Sequence, residues 1–425
     1  MKKAMWVALA LVVAFVSAPF AAQADEVVDK YKVEREKGRE YLVSLGATKA
    51  EAEKIIPRDE DCATCHLDQF KEWAENAPHY QAISFSRGAY NHFVRDMRAN
   101  GLKTDKKVMS TCDRCHAPTL QRYGSEKLYE SITNILGEDT DDKKLKANEK
   151  VSALKHIGVG CTECHISQWS GTQTGAAHGP IGDANAPHGT KYAPDMAKSE
   201  FCGRCHGQNP VDADAIKGAK VGKTNLIYCG LNYDDWKMSG STQQCQDCHM
   251  EEINGGSRHS HKFPGANSAD FLKKAVDLEI SGKLTMAENA YINIDVISKA
   301  GHVFPEGCIL LADVVMNVTV KEAAGKNVPS AGKVLFETQR TWYAQSQGFI
   351  PLAFDPNMKE VPRTPAVWAV NDYNRSTSLQ PGKNNVLVNF RVPSGTTKLY
   401  VEVEVGYKQK GKTLPMKSLS KIVYF

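Results

Sequence analysis

The sequence predicts an α+β multidomain protein with a mainly short-helix and loop domain at residues 25–265 and an antiparallel β-sandwich at 266–425. The length of 425 residues is enough for two domains. The pattern Cys-x-x-Cys-His occurs five times, and all five copies lie between residues 62 and 249. Segments rich in β-branched residues, separated by turn residues, begin only after residue 276.

Each copy of the pattern is typical of the attachment site of a c-type haem. Its two cysteines form thioethers with one porphyrin edge, and the adjacent histidine reaches the iron as proximal ligand. Zinc ribbons and thiol-redox centres do not need a histidine directly after every second cysteine. The sequence therefore predicts five covalently bound haems c, attached through Cys62, Cys65, Cys112, Cys115, Cys161, Cys164, Cys202, Cys205, Cys245 and Cys248, with proximal ligands His66, His116, His165, His206 and His249.

Thirteen histidines less the five proximal ones leave eight, which is enough to give every iron a second axial ligand. Methionine is the other common distal ligand, but no methionine lies in a recognisable ligand loop. Bis-histidine ligation is therefore expected. The eight candidates are His79, His92, His156, His178, His188, His259, His261 and His302.

The start of the chain predicts a signal peptide at residues 1–24. Lys2 and Lys3 precede an apolar run that closes with Ala22-Gln23-Ala24, so cleavage is expected after Ala24. An uncleaved membrane anchor is the alternative. Because c-type haem is attached on the outer side of the bacterial inner membrane, we expect a periplasmic protein, with a cell-surface or extracellular location as the alternative. Peripheral association with the membrane is compatible with either.

The net charge argues against one class of function, and two cysteines lie outside the motifs. The formal net charge of +4 falls to +2 without Lys2 and Lys3, so no basic nucleic-acid-binding surface is expected. Twelve cysteines less the ten of the motifs leave Cys229 and Cys308. In an oxidising compartment these two either form a disulfide or remain two separate thiols.

Local patterns predict the secondary structure of both domains. Apolar residues at helical spacing predict one or two helices within 26–56 and another within 125–154. Residues 170–195, rich in Gly, Pro, Ala and His, predict an irregular loop over haem. Five porphyrins within residues 25–265 would themselves form the core of that domain. The strands expected in the second domain cover residues 291–297, 313–320, 386–390 and 399–405.

Three segments resemble the haem-binding region of the cytochrome c-554 family. They are Trp73 followed by His79, His156-Ile157-Gly158-Val159-Gly160 before Cys161, and His178-Gly179-Pro180. The wider group includes hydroxylamine oxidoreductase and pentahaem nitrite reductase. His261-Lys262-Phe263-Pro264-Gly265 and the segment 300–307 around His302 resemble elements of larger members that carry a C-terminal β-domain.

The resemblance implies a distal role for histidines that often bind a haem other than the nearest in sequence. It favours His79, His156, His178, His261 and His302, with His188 and His259 as substitutes for their neighbours and His92 as an outlier. A ligand at His302 would join the β-domain to the haem domain through iron. The chain also departs from its relatives, since nitrite reductases have one motif ending in Lys, hydroxylamine oxidoreductases have eight haems, and cytochrome c-554 has four haems and no β-domain.

These features predict an electron carrier of anaerobic respiration whose partners are redox proteins, such as a quinol-oxidising membrane cytochrome or a terminal reductase. Two strong axial ligands keep iron low-spin in both oxidation states, which suits electron transfer. One alternative is an oxidoreductase that acts on a small nitrogen or sulfur oxyanion at one five-coordinate haem. A second alternative is a subunit of an extracellular cytochrome filament or conduit.

Overall fold

The structure is a computed structural model. It describes residues 26–76, 94–95, 97–98, 103–137, 153–166, 176–180, 186, 188–207, 209–210, 226–227, 231–256, 258–266, 268–285, 288–305, 312–323, 331–343, 353–354, 372–373, 378–409 and 411–425. These residues form two compact units. The first contains the residues up to Ala197 together with Met250–Phe263, and the second contains those from Lys198 to His249 and from Pro264 onward.

Helices lie in and beside the part of the chain that carries the motifs, and all of those described except the first are short. In chain order they are α1 (26–44), α2 (Lys49–Ile55), α3 (Asp59–Cys62), α4 (Leu67–Asn76), α5 (Lys106–His116), α6 (Pro118–Tyr123), α7 (Glu126–Leu136), α8 (Cys161–His165), α9 (Ser199–Gly203), α10 (Asn232–Ser239), α11 (Cys245–His249) and α12 (Ala269–Lys274). Single 3₁₀ turns occur at Leu154–His156 and Pro194–Ala197.

Among the described residues, the strands before residue 260 are short, and all those after it except β11 and β12 are long. They are β1 (Ala177–Gly179), β2 (Thr190–Tyr192), β3 (Asn209–Pro210), β4 (Leu226–Ile227), β5 (Glu252–Ile253), β6 (Arg258–His259), β7 (Val276–Leu284), β8 (Asn289–Ser298), β9 (Ala312–Glu322), β10 (Val334–Tyr343), β11 (Ala353–Phe354), β12 (Asp372–Tyr373), β13 (Gly382–Arg391), β14 (Lys398–Gln409) and β15 (Lys412–Tyr424).

Polar caps in the sequence fix where the helices of the first unit begin. Thr48 and Glu51 form a reciprocal capping box at the start of α2, in which each side chain accepts a hydrogen bond from the other residue's backbone N–H. The side chain of Asp105 caps α5, and that of Ser125 caps α7. The helices expected within 26–56 and 125–154 are confirmed as α1, α2 and α7.

A buried ion-pair network joins α1 to α3, directly before the first motif. Arg35 lies 3.0 Å from Asp59 and 3.1 Å from Glu60, and Arg39 lies 2.6 Å from Glu60. All four side chains are almost fully buried, so each charge needs its partner. The network holds the segment that leads into Cys62 against the N-terminal helix.

The long strands of the second unit form a β-sandwich. One sheet has the order β10-β9-β14-β15 and the other has the order β13-β8-β7, and every pairing within them is antiparallel. Together they contain seven strands, the number in an immunoglobulin constant-type sandwich. The inward faces of both sheets contribute to one apolar core.

Strand β14 shows how the sequence specifies this core. Val401, Val403 and Val405 are buried, whereas Glu402 and Glu404 between them are at least partly exposed. The predicted α+β class is confirmed, and the strands expected at 291–297, 313–320, 386–390 and 399–405 all lie within observed strands. The domain boundary at residue 265 stays a prediction. Within the described ranges, no helix combines the length and apolar character needed to cross a bilayer.

Candidate haem-binding sites

All five Cys-x-x-Cys-His motifs lie on a helical turn. The second, third and fifth lie within α5, α8 and α11, and the first and fourth continue a turn beyond α3 and α9. In those two the histidine N–H closes the turn, at 2.8 Å from His66 to the Cys62 carbonyl and 2.9 Å from His206 to the Cys202 carbonyl. Residues three apart on a helical turn share a face, so both thiols of a motif can reach one porphyrin edge.

Three of the motif histidines face a second histidine at a constant separation. The ring centroids are 6.3 Å apart for His66 and His188, 6.3 Å for His165 and His261, and 6.4 Å for His249 and His302. Two imidazoles that bind one metal ion from opposite sides, each at a metal–nitrogen distance of about 2.0 Å, hold their ring centroids roughly 6.3 Å apart. The spacing in all three pairs therefore fits one six-coordinate haem iron.

Hydrogen bonds at Nδ1 orient the paired rings. Nδ1 of His165 donates to the carbonyl of His178 at 2.7 Å, and Nδ1 of His249 donates to that of Pro264 at 2.7 Å. The distal-side rings do the same, with distances of 3.2 Å for His188 to Gly189, 3.0 Å for His261 to His259 and 2.9 Å for His302 to Val303. Because a carbonyl oxygen only accepts, the proton lies on Nδ1, and Nε2 is left to bind a metal.

Burial favours the neutral form, which metal binding requires, in both imidazoles of the His165–His261 and His249–His302 pairs. Loss of solvation lowers the pKa of His165, His249 and His261 below the usual value. The effect is largest at His302, where burial lowers the pKa to about 4. A neutral imidazole has a free lone pair on Nε2, so these rings need no deprotonation before they bind iron.

The β-sandwich positions His302. This residue follows β8, and the backbone of Phe304 pairs with that of Leu379 while its ring stacks on Tyr407 at 5.3 Å. On the other side, the Ser239 hydroxyl donates to the Gly301 carbonyl at 2.7 Å. A Cβ atom on Gly301 would lie 3.2 Å from the Trp236 ring, so the close approach favours glycine there.

The other described candidates have different surroundings. His156 is buried beside Tyr31, with ring centroids 5.7 Å apart, and its Nε2 lies 3.5 Å from a carboxylate oxygen of Glu34. Nδ1 of His259 donates to the carbonyl of Met250 at 2.8 Å. His178 is buried, and neither of its ring nitrogens meets a hydrogen-bond partner among the described residues. An unsatisfied buried nitrogen of this kind fits an iron ligand. His79, His92, Cys229 and Cys308 lie outside the described residues.

Two pairs of motifs lie in contact through their first cysteines. The thiols of Cys62 and Cys161 are within hydrogen-bonding reach of each other, as are those of Cys202 and Cys245. This contact brings the first motif to the third. It likewise brings the fourth to the fifth.

Each contact contains a buried oxygen side chain three residues before a motif. Oδ1 of Asp59 accepts a hydrogen bond from the Thr162 N–H at 3.1 Å, and Oγ of Ser199 accepts one from the Cys245 N–H at 2.9 Å. Both residues satisfy a free N–H at the first turn of the partner motif. Sequence reasoning missed them. Their shared position, three residues before Cys62 and Cys202, is the signal that could have found them.

One family model and one solved structure, both of cytochromes, are similar to this chain. Residues 61–138 match the family model described as cytochrome c554 and c-prime. A penta-heme cytochrome c552 from Thermochromatium tepidum is similar in structure, with a TM-score of 0.53, 16% sequence identity, and coverage of 85% of this chain and 97% of that one. At this identity the similarity shows a shared fold.

Other similarities are weaker. MtrC from Shewanella baltica OS185 has a TM-score of 0.19 and 12% identity, covering 62% of this chain and 45% of MtrC. The C-terminal domain of wzt has a TM-score of 0.17 and 12% identity, covering 35% of this chain and 70% of that one. TM-scores this low do not show a common fold. No curated protein is significantly similar in sequence.

Proposed function

We propose that this chain is a multihaem c-type cytochrome, similar to the cytochrome c-554 family, that carries electrons through five covalently bound haems c. The observation that carries the proposal is the common spacing of three imidazole pairs, 6.3, 6.3 and 6.4 Å between centroids. Bound haem c supplies the one-electron iron couple. The chain holds and orients that group and controls its ligands.

We assign the covalent and axial ligands as follows. The ten motif cysteines attach the porphyrins, and the five motif histidines are proximal ligands. His188, His261 and His302 are the distal ligands opposite His66, His165 and His249. The distal ligands opposite His116 and His206 come from the remaining candidates, which are His79, His92, His156, His178 and His259.

Paired imidazoles suit an electron carrier more than an enzyme. Two strong-field nitrogen ligands keep the iron low-spin in both oxidation states, so little rearrangement accompanies electron transfer. The Nδ1 hydrogen bonds hold each ring in one orientation and raise its basicity as a ligand. The contacts between Cys62 and Cys161 and between Cys202 and Cys245 support adjacent haems at the first and third motifs and at the fourth and fifth.

We propose that the protein works in the periplasm or at the cell surface, because c-type haem is attached on the outer side of the bacterial inner membrane. Its partners there are redox proteins, such as a quinol-oxidising membrane cytochrome and a terminal reductase of anaerobic respiration. Residues 25–265 form the haem domain in this proposal, and residues 266–425 form a β-sandwich that supplies the distal ligand His302.

Haem count and reactivity test the proposal. The intact mass and the pyridine haemochrome of the exported protein should both give five haems per chain. Carbon monoxide should leave the spectrum of the reduced protein nearly unchanged, because every iron is six-coordinate. Fewer than five haems would contradict the count. Carbon monoxide binding to one haem per chain, together with turnover of nitrite, hydroxylamine or tetrathionate, would instead support the oxidoreductase.

A further inference from the structure

One carboxylate in α4, that of Glu72, holds the segment 258–261, which carries His261. Oε2 and Oε1 of Glu72 accept hydrogen bonds from the two terminal nitrogens of Arg258, each at 3.0 Å. Oε2 also accepts the backbone N–H of His261 at 2.8 Å. Residue Glu72 is only 9% exposed, so these bonds are sheltered from water. Bidentate pairing of this kind is both stronger and more directional than a simple ion pair.

The segment held in this way determines the orientation of the His261 ring. Its first residue, Arg258, is bound to Glu72, and the carbonyl of its second residue, His259, accepts the Nδ1 proton of His261 at 3.0 Å. The His261 backbone then returns to the same carboxylate. The imidazole is therefore fixed at its backbone and at its ring, and its plane makes an angle of 25° with that of His165.

The neighbouring residue in α4 contacts the opposite side of the same candidate site. Nε1 of Trp73 donates to the carbonyl of Val159 at 3.2 Å, directly before the third motif. Two consecutive residues of α4 thus contact the segments that carry the proximal and the distal histidine. Helix α4 therefore links the two segments.

We propose that Glu72 is a positioning residue for the His165–His261 haem, and that it sets the orientation of the distal imidazole through Arg258 and the His261 N–H. This inference rests on the proposed function, because it takes His261 as an iron ligand. The ring orientation of an axial imidazole affects both the EPR g values and the reduction potential of a low-spin haem. The distal geometry of this one site therefore depends on a residue that touches neither the porphyrin nor the iron.

The holoprotein variant Glu72→Gln tests the proposal. An amide nitrogen facing Arg258 cannot accept its hydrogen bonds, so we expect altered g values in one low-spin signal and a more positive potential for that haem. The other four haems should be unchanged. Asp68→Asn is the matched control, because Asp68 lies on the same helix with its oxygen 3.8 Å from Arg258 and its side chain 72% exposed. It should leave all g values as in the wild type.

A second variant, Arg258→Gln, separates positioning from simple electrostatics. Removing a cation lowers a haem potential and removing an anion raises it, so electrostatics alone gives opposite shifts without a change in g values. Positioning predicts that both variants change the g values of the same haem. Unchanged g values in both folded variants would overturn the proposal. If Glu72→Gln does not fold, Arg258→Gln alone decides it by the same criterion.

His261→Ala distinguishes failure of this inference from failure of the proposed function. Loss of one low-spin signal in His261→Ala, with normal g values in Glu72→Gln and Arg258→Gln, overturns the positioning role alone. A wild-type low-spin spectrum in His261→Ala overturns the assignment of His261 as a ligand, and the positioning role fails with it.

Discussion

The His302 ring lies 6.4 Å, centroid to centroid, from the ring of His249, the last residue of the fifth motif. The two planes are inclined by only 19°. His302 belongs to the polypeptide between two strands of the β-sandwich, so this domain provides one of the imidazoles that face a motif histidine. An iron between the two rings would link the sandwich to α11 by coordinate bonds.

The first prediction concerns that link. His302→Ala should convert one haem from low-spin to high-spin, because the proximal histidine would then be the only protein ligand of the iron and gives a weaker field. It should also lower the midpoint of thermal unfolding of the sandwich, which loses its bond to iron. EPR and circular dichroism during heating measure the two effects. Lys299→Ala is the control, since Lys299 precedes the same loop and its side chain forms a surface ion pair with Asp277. A low-spin count of five in His302→Ala would contradict the prediction.

The second prediction concerns exchange of axial ligands. His188 is exposed, and its Nδ1 hydrogen bond of 3.2 Å is the longest among the paired rings. Added imidazole or cyanide should therefore replace His188 before any buried distal ligand. Optical titration of the oxidised protein should show a first phase that accounts for one haem in five.

The control for this exchange is removal of the exposed ring. In His188→Ala the open iron should bind cyanide in the first phase without a competing histidine, so the apparent affinity of that phase should rise. A first phase with the same affinity in wild type and His188→Ala would show that His188 does not occupy that position.

The third prediction concerns the contact between the fourth and fifth motifs. Ser199→Ala removes the acceptor of the Cys245 N–H, and should lower the free energy of unfolding by about 1 kcal/mol, the usual cost of losing a helix-capping hydrogen bond. Denaturant titration followed at the haem absorption band measures this cost. Ser44→Ala serves as control, because its hydroxyl bonds an exposed carbonyl at the end of α1. Equal midpoints for the two variants would count against a role for Ser199.

The fourth prediction concerns acid stability of the β-sandwich. Hydrogen bonds from Asn385 and then from Lys383 hold the pKa of Asp295 below its usual value. A carboxyl whose folded pKa is depressed stabilises the fold above its unfolded pKa and loses that contribution as the pH falls. The wild type should therefore lose stability more steeply than Asp295→Asn as the pH falls below about 4. Lys383→Met should reduce the difference in pH dependence between the wild type and Asp295→Asn. Parallel stability curves for the wild type and Asp295→Asn would refute the prediction.

Sequence reasoning succeeds where chemistry is local. The strand β14 is predicted correctly because its valines alternate with glutamates. The motif cysteines and histidines can be proposed as haem-attachment residues because attachment needs those residue types within one helical turn. Ligand pairs are not local. His188, ranked behind His178, is the histidine that lies opposite His66, whereas His178 uses its carbonyl to orient His165. Spacing along the chain does not tell which way a ring points.

The supporting residues could not be predicted from the sequence either, because their contacts are not local. Glu72, Asp59 and Ser199 act on backbone N–H groups far away in sequence, and an isolated acid or serine looks like an ordinary surface residue. Their burial becomes apparent only once the helices are packed. For Asp59 and Ser199, the position three residues before a motif is the signal in the sequence. It can be recognised only when both residues are compared.

Low-temperature EPR of the oxidised holoprotein is the most direct test of bis-histidine ligation by the observed pairs. Imidazole planes that are close to parallel give rhombic low-spin spectra, and the His165–His261 and His249–His302 planes are inclined by 25° and 19°. We expect rhombic low-spin signals that integrate to at least two haems per chain. High-spin signals from these haems, which would persist unchanged in His261→Ala and His302→Ala, would contradict it.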